Sequence, residues 1–338
     1  MKERLLYLDS IKGFAIFLMV LGHAIAWSFT DYSSVLTIDS SHTQQELNAG
    51  YVWQFIYSFH MALFFLVSGY LSYRVGGGNF WKDLKKKSLR LLVPYFATGF
   101  LITIIRPGFG YWFLFSLWEL SVFGILLQYV MRLINKNDKL WIDIILIVIS
   151  YELLRRFLYL DILQNPVADI GYGMTFYLPF FLGFLMRKYE KVERACSDHF
   201  TIYFFLFILC FIWKYIEISN VPTFCNKVVD YVISRYHITA LFGTLTFYSL
   251  FKKGINPNME KVLSWFGKQT FEIYIFHVFF VLRLAQVGDF WISTNLPTCL
   301  VSQLVYGTII SLIAMLFSIV IARFIKHSNL LSKLVLGQ

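Results

Sequence analysis

Long apolar stretches separated by short polar segments make up almost the whole of this chain of 338 residues. A helix that crosses a bilayer needs about 20 mostly apolar residues, and about ten stretches approach that length. The predicted spans are residues 11–29, 52–73, 89–105, 112–131, 140–160, 171–186, 200–219, 232–251, 262–282 and 300–325. The pattern therefore predicts an all-α fold, a polytopic membrane helical bundle of about ten transmembrane helices that forms a single domain over residues 1–338.

Composition and charge agree with a membrane bundle. Hydrophobic residues make up 58% of the chain and charged residues 15%, which excludes a soluble domain of this size because such a domain needs a more charged surface. The net charge of +10 lies in short loops and not in one basic stripe, so nucleic acid is not an expected partner. Lys and Arg concentrate in alternate loops, and the positive-inside rule then predicts that both termini are cytoplasmic.

Three ionisable residues share one face of the first helix. His23 follows Lys12 by eleven residues, and Asp9 lies three residues before Lys12. Eleven helical steps of about 100° return to within roughly 20° of the starting direction, and the steps from Asp9 to His23 miss it by roughly 40°. Ionisable groups inside a membrane are costly and usually face a bundle interior or a watery cavity, where function is the default hypothesis. We therefore interpret Asp9, Lys12 and His23 as candidate catalytic residues.

Other groups in or near the predicted spans are further candidates. His60 and His277 lie in the outer halves of their predicted spans, where each could orient His23, bind a substrate hydroxyl or simply hydrogen-bond across helices. Glu119 is a catalytic candidate because a histidine base usually needs a carboxylate on its other nitrogen. Tyr274 is a substrate-binding candidate. The histidines lack i, i+4 ligand spacing and the four cysteines form no CxxC pair, so no metal is predicted.

A basic segment lies on the predicted cytoplasmic side, with five Lys and Arg residues at positions 82–90. Setting the topology alone could explain it. It could also bind the phosphates of a polyphosphate donor, with Lys86 and Lys87 as point charges and Arg90 as a forked guanidinium. The preceding glycines do not form a P-loop, since the GxxxxGK spacing is absent.

Several motifs resemble one family in the same order along the chain. Residues 7–23 (YLDSIKGFAIFLMVLGH) resemble the first-helix signature of the acyltransferase-3 family of bacterial integral-membrane O-acyltransferases. Residues 58–71 (SFHMALFFLVSGYL) and 85–95 (KKKSLRLLVPY) are similar to its second-helix motif and to its basic run before an Arg-x-x-x-Pro helix start. Later family segments resemble 111–120 (YWFLFSLWEL), 176–186 (FYLPFFLGFLM) and 263–280 (LSWFGKQTFEIYIFHVFF). The resemblance covers nearly the whole chain.

Two positions depart from the family pattern. Lys12 stands where the family commonly has Arg, a form that resembles its fucose 4-O-acetylase-like branch. Ala62 stands where Pro is usual. Lysine keeps the positive charge and loses the bidentate fork of arginine, so the expected role of Lys12 is that of a point charge.

The resemblance implies an O-acetyltransferase of the bacterial cytoplasmic membrane. It would move an acetyl group from cytoplasmic acetyl-CoA, its co-substrate, to a hydroxyl of a cell-surface polysaccharide or a lipid-linked sugar precursor. His23 would act as general base or as a transient acyl carrier. Lys12, fixed by Asp9, would line the approach of the thioester, and the basic segment would hold the phosphates of coenzyme A.

Two other classes of protein are open alternatives. A glycan flippase or exporter would also carry intramembrane ionisable residues, although the two halves of the chain show no repeat of hydropathy such as many transporters have. Dependence on acetyl-CoA separates the two classes. A structural or sensory membrane protein would explain the hydrophobicity but not the stripe of Asp9, Lys12 and His23.

Overall fold

The computed structural model describes residues 5–30, 35, 42–75, 78–105, 110–158, 172–220 and 237–338. Regular structure within these ranges is helical, which confirms the predicted all-α fold. The helices are α1 (Leu6–Ala26), α2 (Gln44–Tyr57), α3 (His60–Ser72), α4 (Phe80–Ile105), α5 (Trp112–Ile134), α6 (Leu140–Leu158), α7 (Tyr177–Lys188), α8 (Glu190–Asp198), α9 (Phe200–Asn220), α10 (His237–Lys253), α11 (Pro257–Gly267), α12 (Thr270–Phe280), α13 (Ala285–Ser293), α14 (Leu296–Lys326) and α15 (Asn329–Leu336). A 3₁₀ helix, Tyr172–Phe176, precedes α7.

Some of these helices are long and apolar enough to cross a membrane. In the described part of the chain they are Leu6–Ala26, Gln44–Ser72, Trp112–Ile134 and Leu296–Lys326. Two bent pairs, α8 with α9 and α12 with α13, raise the number to six if each pair is one span. α14 exposes large apolar side chains such as Val305 and Phe317, which lipid accommodates and water does not. The chain is therefore a helical membrane protein.

The described residues do not reach the predicted count of about ten spans. The predicted span 262–282 is divided between α11 and α12, since the helix breaks at Lys268 and Gln269. The predicted span 171–186 coincides with the 3₁₀ helix and the 12-residue α7, which is short for a bilayer. The span predicted at 232–251 begins in residues outside the described part of the chain, and α10 starts at His237.

The chain divides into two compact units, each built from separate stretches of sequence. The first unit comprises Met1–Phe64 and Ser197–Ala322, and the second comprises Phe65–Cys196 and Arg323–Gln338. The sequence predicts one domain over residues 1–338, and that grouping stays a prediction.

In the first unit, α1 and α11 cross at two glycines. A Cβ on Gly13 would overlap the carbonyl oxygen of Leu263, and a Cβ on Gly267 would overlap that of Asp9. Small residues that let two backbones approach are typical of helix pairs in membranes. This close approach fixes the first turns of α1, which carry Asp9 and Lys12, against α11.

In the second unit, α3 and α7 also approach each other closely at two glycines. A Cβ on Gly69 would overlap the carbonyl oxygen of Phe180, and a Cβ on Gly183 would overlap that of Leu66. Elsewhere in this unit the C-terminal helix α15 packs against α4, the helix that carries the basic segment. Helix α15 is therefore in contact with the helix that carries the predicted phosphate-binding residues.

Candidate functional site

The predicted site residues fall into two groups, one in each unit. The first unit contains Asp9, Lys12 and His23 on α1, His60 at the start of α3, and Tyr274 and His277 on α12. The second unit contains Lys86, Lys87 and Arg90 on α4 and Glu119 on α5.

Asp9 and Lys12 form an ion pair one turn apart on α1. The Lys12 Nζ lies 2.6 Å from Oδ1 of Asp9, and the side chains are 23% and 6% exposed. A buried carboxylate is costly unless a positive charge compensates it, and the Lys12 ammonium supplies that charge. The structure thus brings together two of the three residues in the predicted stripe by direct contact.

His23 and His277 are joined by a hydrogen bond between their imidazole rings. The distance from Nδ1 of His23 to Nε2 of His277 is 2.9 Å, although 254 residues separate them in sequence. The rings are inclined by only 14° with centroids 5.1 Å apart, so they lie edge to edge and the bond runs close to both ring planes. His277 is fully buried, whereas His23 is partly exposed.

The second nitrogen of His277 faces its own helix. Nδ1 lies 2.8 Å from the carbonyl oxygen of Tyr274 and 3.0 Å from that of Ile273. Both ring nitrogens of His277 therefore have protein partners, which favours a role toward His23 over a contact with substrate. Tyr274 contributes its backbone to this arrangement, and its own ring lies 6.2 Å from that of His277.

Aromatic side chains surround His23, and the sequence interpretation did not include them in the site. The Trp27 ring stacks on that of His23 at 4.8 Å with an angle of 8°, and the Arg283 guanidinium lies 4.9 Å from the Trp27 ring. The Tyr57 ring lies 6.4 Å from His23 and packs where a side chain on Gly22 would stand. The i, i+4 spacing of His23 and Trp27 was the available sequence signal.

His60 lies in the same unit as His23 and is completely buried. Its Nδ1 lies 2.9 Å from the Ile56 carbonyl oxygen, to which it donates a hydrogen bond, and its ring packs against Tyr57 at 4.6 Å. Among the described residues, Nε2 of His60 has no hydrogen-bond partner. A buried acceptor without a donor is costly, and a hydroxyl group would satisfy it.

The basic segment of the second unit is only partly solvent-facing. Lys86 and Arg90 are exposed, and Lys87 is partly buried, with its Nζ 3.4 Å from Oγ of Ser121. Burial lowers the pKa of the Lys87 ammonium to about 8, and the charges of Arg90 and Arg74 add to this effect. The segment therefore presents two exposed basic side chains and one partly buried lysine whose charge responds to pH near 8.

Glu119 is buried in α5, with 6% of its surface exposed. The backbone of the 3₁₀ helix passes close to it, since a Cβ on Gly173 would lie 2.6 Å from Oε2 of Glu119. Its predicted role toward a catalytic histidine stays a prediction.

A polar cavity of about 270 Å³ in the second unit was not anticipated from the sequence. Its lining residues are Tyr73, Gln128, Met131, Arg132, Asp138 and Lys188. The charge of Lys188 is compensated within the protein, because its Nζ lies 2.8 Å from Asp138 and 2.7 Å from Asp143. The exposed residues of the basic segment are therefore better placed to meet an anionic ligand.

Within the described ranges, no group of three or more His, Cys, Asp or Glu side chains is arranged to hold a metal ion.

Comparison with known proteins gives one family. The family model of acyltransferase-3, described as an acyltransferase domain, matches residues 5–323. No curated protein matches the chain, and no solved structure matches it.

Proposed function

From the premise that this chain belongs to the acyltransferase-3 family, and is thus a membrane acyltransferase, we propose that it transfers an acetyl group to a hydroxyl of a cell-surface polysaccharide or its lipid-linked precursor. The donor is cytoplasmic acetyl-CoA, and the enzyme resides in the bacterial cytoplasmic membrane. The observation that supports this proposal most strongly is the partly exposed imidazole of His23, held by the buried ring of His277.

His23 performs the proton transfer or carries the acyl group. As a general base it takes the proton of the acceptor hydroxyl while the hydroxyl oxygen bonds to the acetyl carbonyl carbon and the carbon–sulfur bond breaks. The proton then passes from His23 to the departing thiolate of coenzyme A. As an acyl carrier, His23 bonds to the acetyl carbonyl carbon while the carbon–sulfur bond breaks and the thiolate of coenzyme A leaves. The acceptor oxygen then takes the acetyl group from the imidazole, and the proton of the acceptor hydroxyl goes to the thiolate. In either case Lys12, fixed by Asp9, supplies a positive charge along the approach of the thioester.

The basic segment binds the donor. Lys86 and Arg90 are exposed, and Lys87 is partly buried. An arginine fork and lysine point charges match the phosphate groups of coenzyme A. Loss of these charges should weaken donor binding without changing the chemistry at His23.

The acceptor hydroxyl has two candidate contacts in the first unit. His60 offers a buried Nε2 that has no donor among the described residues, and Tyr274 offers a phenol close to the paired histidines. Glu119 remains a candidate catalytic residue.

A glycan flippase or exporter is the competing function, and donor dependence separates it from an acyltransferase. Membrane vesicles that contain the protein, the acceptor glycan and acetyl-labelled acetyl-CoA should transfer label into glycan, while vesicles without the protein should not. A transporter would move glycan across the vesicle membrane without thioester and leave it unlabelled. Movement of glycan without any label transfer would contradict the proposed function.

A further inference from the structure

We infer that His277 is a positioning residue that fixes the tautomer of His23, so that Nε2 of His23 is the nitrogen that reacts. The inference rests on the proposed function and adds to it the identity of the reacting atom. It follows from which ring nitrogens of His277 and His23 can donate a hydrogen bond and which can accept one.

The first step concerns the proton of His277. A backbone carbonyl can only accept a hydrogen bond, and Nδ1 of His277 lies 2.8 Å and 3.0 Å from two such oxygens, those of Tyr274 and Ile273. Nδ1 must therefore carry the proton. In the neutral ring Nε2 then has only a lone pair and acts as an acceptor.

The second step transfers this constraint to His23. Since Nε2 of His277 accepts and lies 2.9 Å from Nδ1 of His23, the His23 Nδ1 must carry the proton that it donates. A neutral His23 then has its lone pair on Nε2. General-base catalysis and acyl transfer both need this lone pair, so the assignment holds for either role of His23.

The third step concerns the charge that develops during the reaction. When Nε2 of His23 takes a proton or an acyl group, the ring becomes positive and its bond to His277 becomes charge-assisted, which strengthens it. His23 lies in the last turn of α1, and His277 lies in the last turn of α12. The C-terminal end of a helix carries partial negative charge and favours a cation. The pair is therefore arranged to hold the positive charge formed at His23.

Three substitutions at position 277 separate a positioning role from a packing role. In His277→Gln the amide oxygen can reach the place of Nε2 and accept from His23. In His277→Asn the same amide group is one carbon shorter and lies near the place of Nδ1. In His277→Leu no acceptor remains. We expect Gln to keep the rate at saturating acetyl-CoA within about tenfold of wild type, and Asn and Leu to lower it about 100-fold or more, the lower range of a general base. The KM for acetyl-CoA should not change.

The controls distinguish failure of this inference from failure of the proposed function. His199→Ala, at an exposed position, should behave as wild type, and His23→Ala should be inactive. Full activity of His23→Ala would overturn the proposed chemistry itself. If His23→Ala is inactive but His277→Leu or His277→Asn keeps the wild-type rate, the positioning role of His277 is refuted and the chemistry of His23 stands.

If the variants at position 277 do not fold, a spectroscopic measurement of the tautomer of His23, in protein with His277 intact, tests the inference. Imidazole ¹⁵N shifts of the histidine-labelled protein in lipid nanodiscs distinguish protonated from unprotonated nitrogens, and the His23 signals are those lost in a His23→Ala or His23→Gln sample. We expect a proton on Nδ1 of His23 and none on Nε2. A proton on Nε2 with a bare Nδ1 would overturn the inference.

Discussion

Removal of the Lys12 charge should destabilise the protein because it breaks the ion pair that Lys12 forms with the buried carboxylate of Asp9. Two unit charges 2.6 Å apart attract by about 6 kcal/mol at an effective dielectric constant of about 20. Desolvation offsets much of this attraction, and breaking a buried pair by removing one partner costs about 3–5 kcal/mol. The Lys12 side chain is 23% exposed, so water reaches the pair, and we expect about 2–3 kcal/mol for Lys12→Met.

The assay is thermal unfolding in detergent, followed by circular dichroism and by retention of a monodisperse peak. At about 2 °C per kcal/mol for a chain of this size, Lys12→Met should unfold about 5 °C below wild type. Lys12→Arg keeps the positive charge and should unfold close to wild type. The double variant Asp9→Asn with Lys12→Met removes both charges and should recover most of the lost stability.

The activities of these variants should not follow the order of their unfolding temperatures. If Lys12 also acts on the thioester, the double variant should regain its stability and remain inactive. Wild-type stability of Lys12→Met, or a double variant less stable than the single one, would refute the reasoning that the pair compensates a buried charge.

Three further predictions concern packing, donor binding and acceptor binding. Gly13→Ala should lower the yield of folded protein and its unfolding temperature, because its Cβ would overlap the Leu263 carbonyl oxygen, whereas Gly99→Ala, with no atom within 4 Å of its Cβ, should not. The pKa of Lys87 is lowered to about 8, so its charge is lost as pH rises through 8 and the KM for acetyl-CoA should increase; Lys87→Arg should remove that increase. The unfolded chain keeps this proton up to about pH 10, so Lys87 should also make the free energy of unfolding increase with pH across that window. His60→Phe removes a buried unpaired acceptor and should leave the unfolding temperature unchanged or higher, while the KM for the acceptor glycan increases.

Each of these three predictions has a contradicting result. Equal yields and unfolding temperatures of Gly13→Ala and Gly99→Ala would show that α1 and α11 tolerate separation. A KM for acetyl-CoA that does not depend on pH in wild type would remove Lys87 from the donor site. An unchanged glycan KM in His60→Phe would leave His60 with a packing role alone.

The sequence was sufficient for the features that depend on local periodicity. Apolar stretches of nearly bilayer length predicted helices, and the three-residue spacing of Asp9 and Lys12 placed two charges on one face, where the structure joins them. The ion pairs of Glu152 with Arg155 and Arg156 are local in the same sense, since the paired residues lie three and four positions apart on one helix.

Features that depend on tertiary packing could not be predicted in the same way. The bond between His23 and His277 joins helices 254 residues apart, and no pattern in a single sequence specifies which two intramembrane histidines meet. The division of the predicted span 262–282 into α11 and α12 is a second example, because the two polar residues at the break, Lys268 and Gln269, do not by themselves specify that a helix ends there. The stacking of Trp27 on His23 is a third example, since the sequence interpretation did not include Trp27 in the site.

The central claim is that this acyltransferase reacts through His23, and one paired measurement tests it most directly. Membranes containing wild type, His23→Ala or the exposed-site control His199→Ala are incubated with acetyl-labelled acetyl-CoA and acceptor glycan, at equal amounts of folded protein. The account predicts that wild type and His199→Ala label the glycan equally and that His23→Ala, although inserted and folded, does not. Equal labelling by His23→Ala would contradict it and move the reacting group elsewhere in the chain.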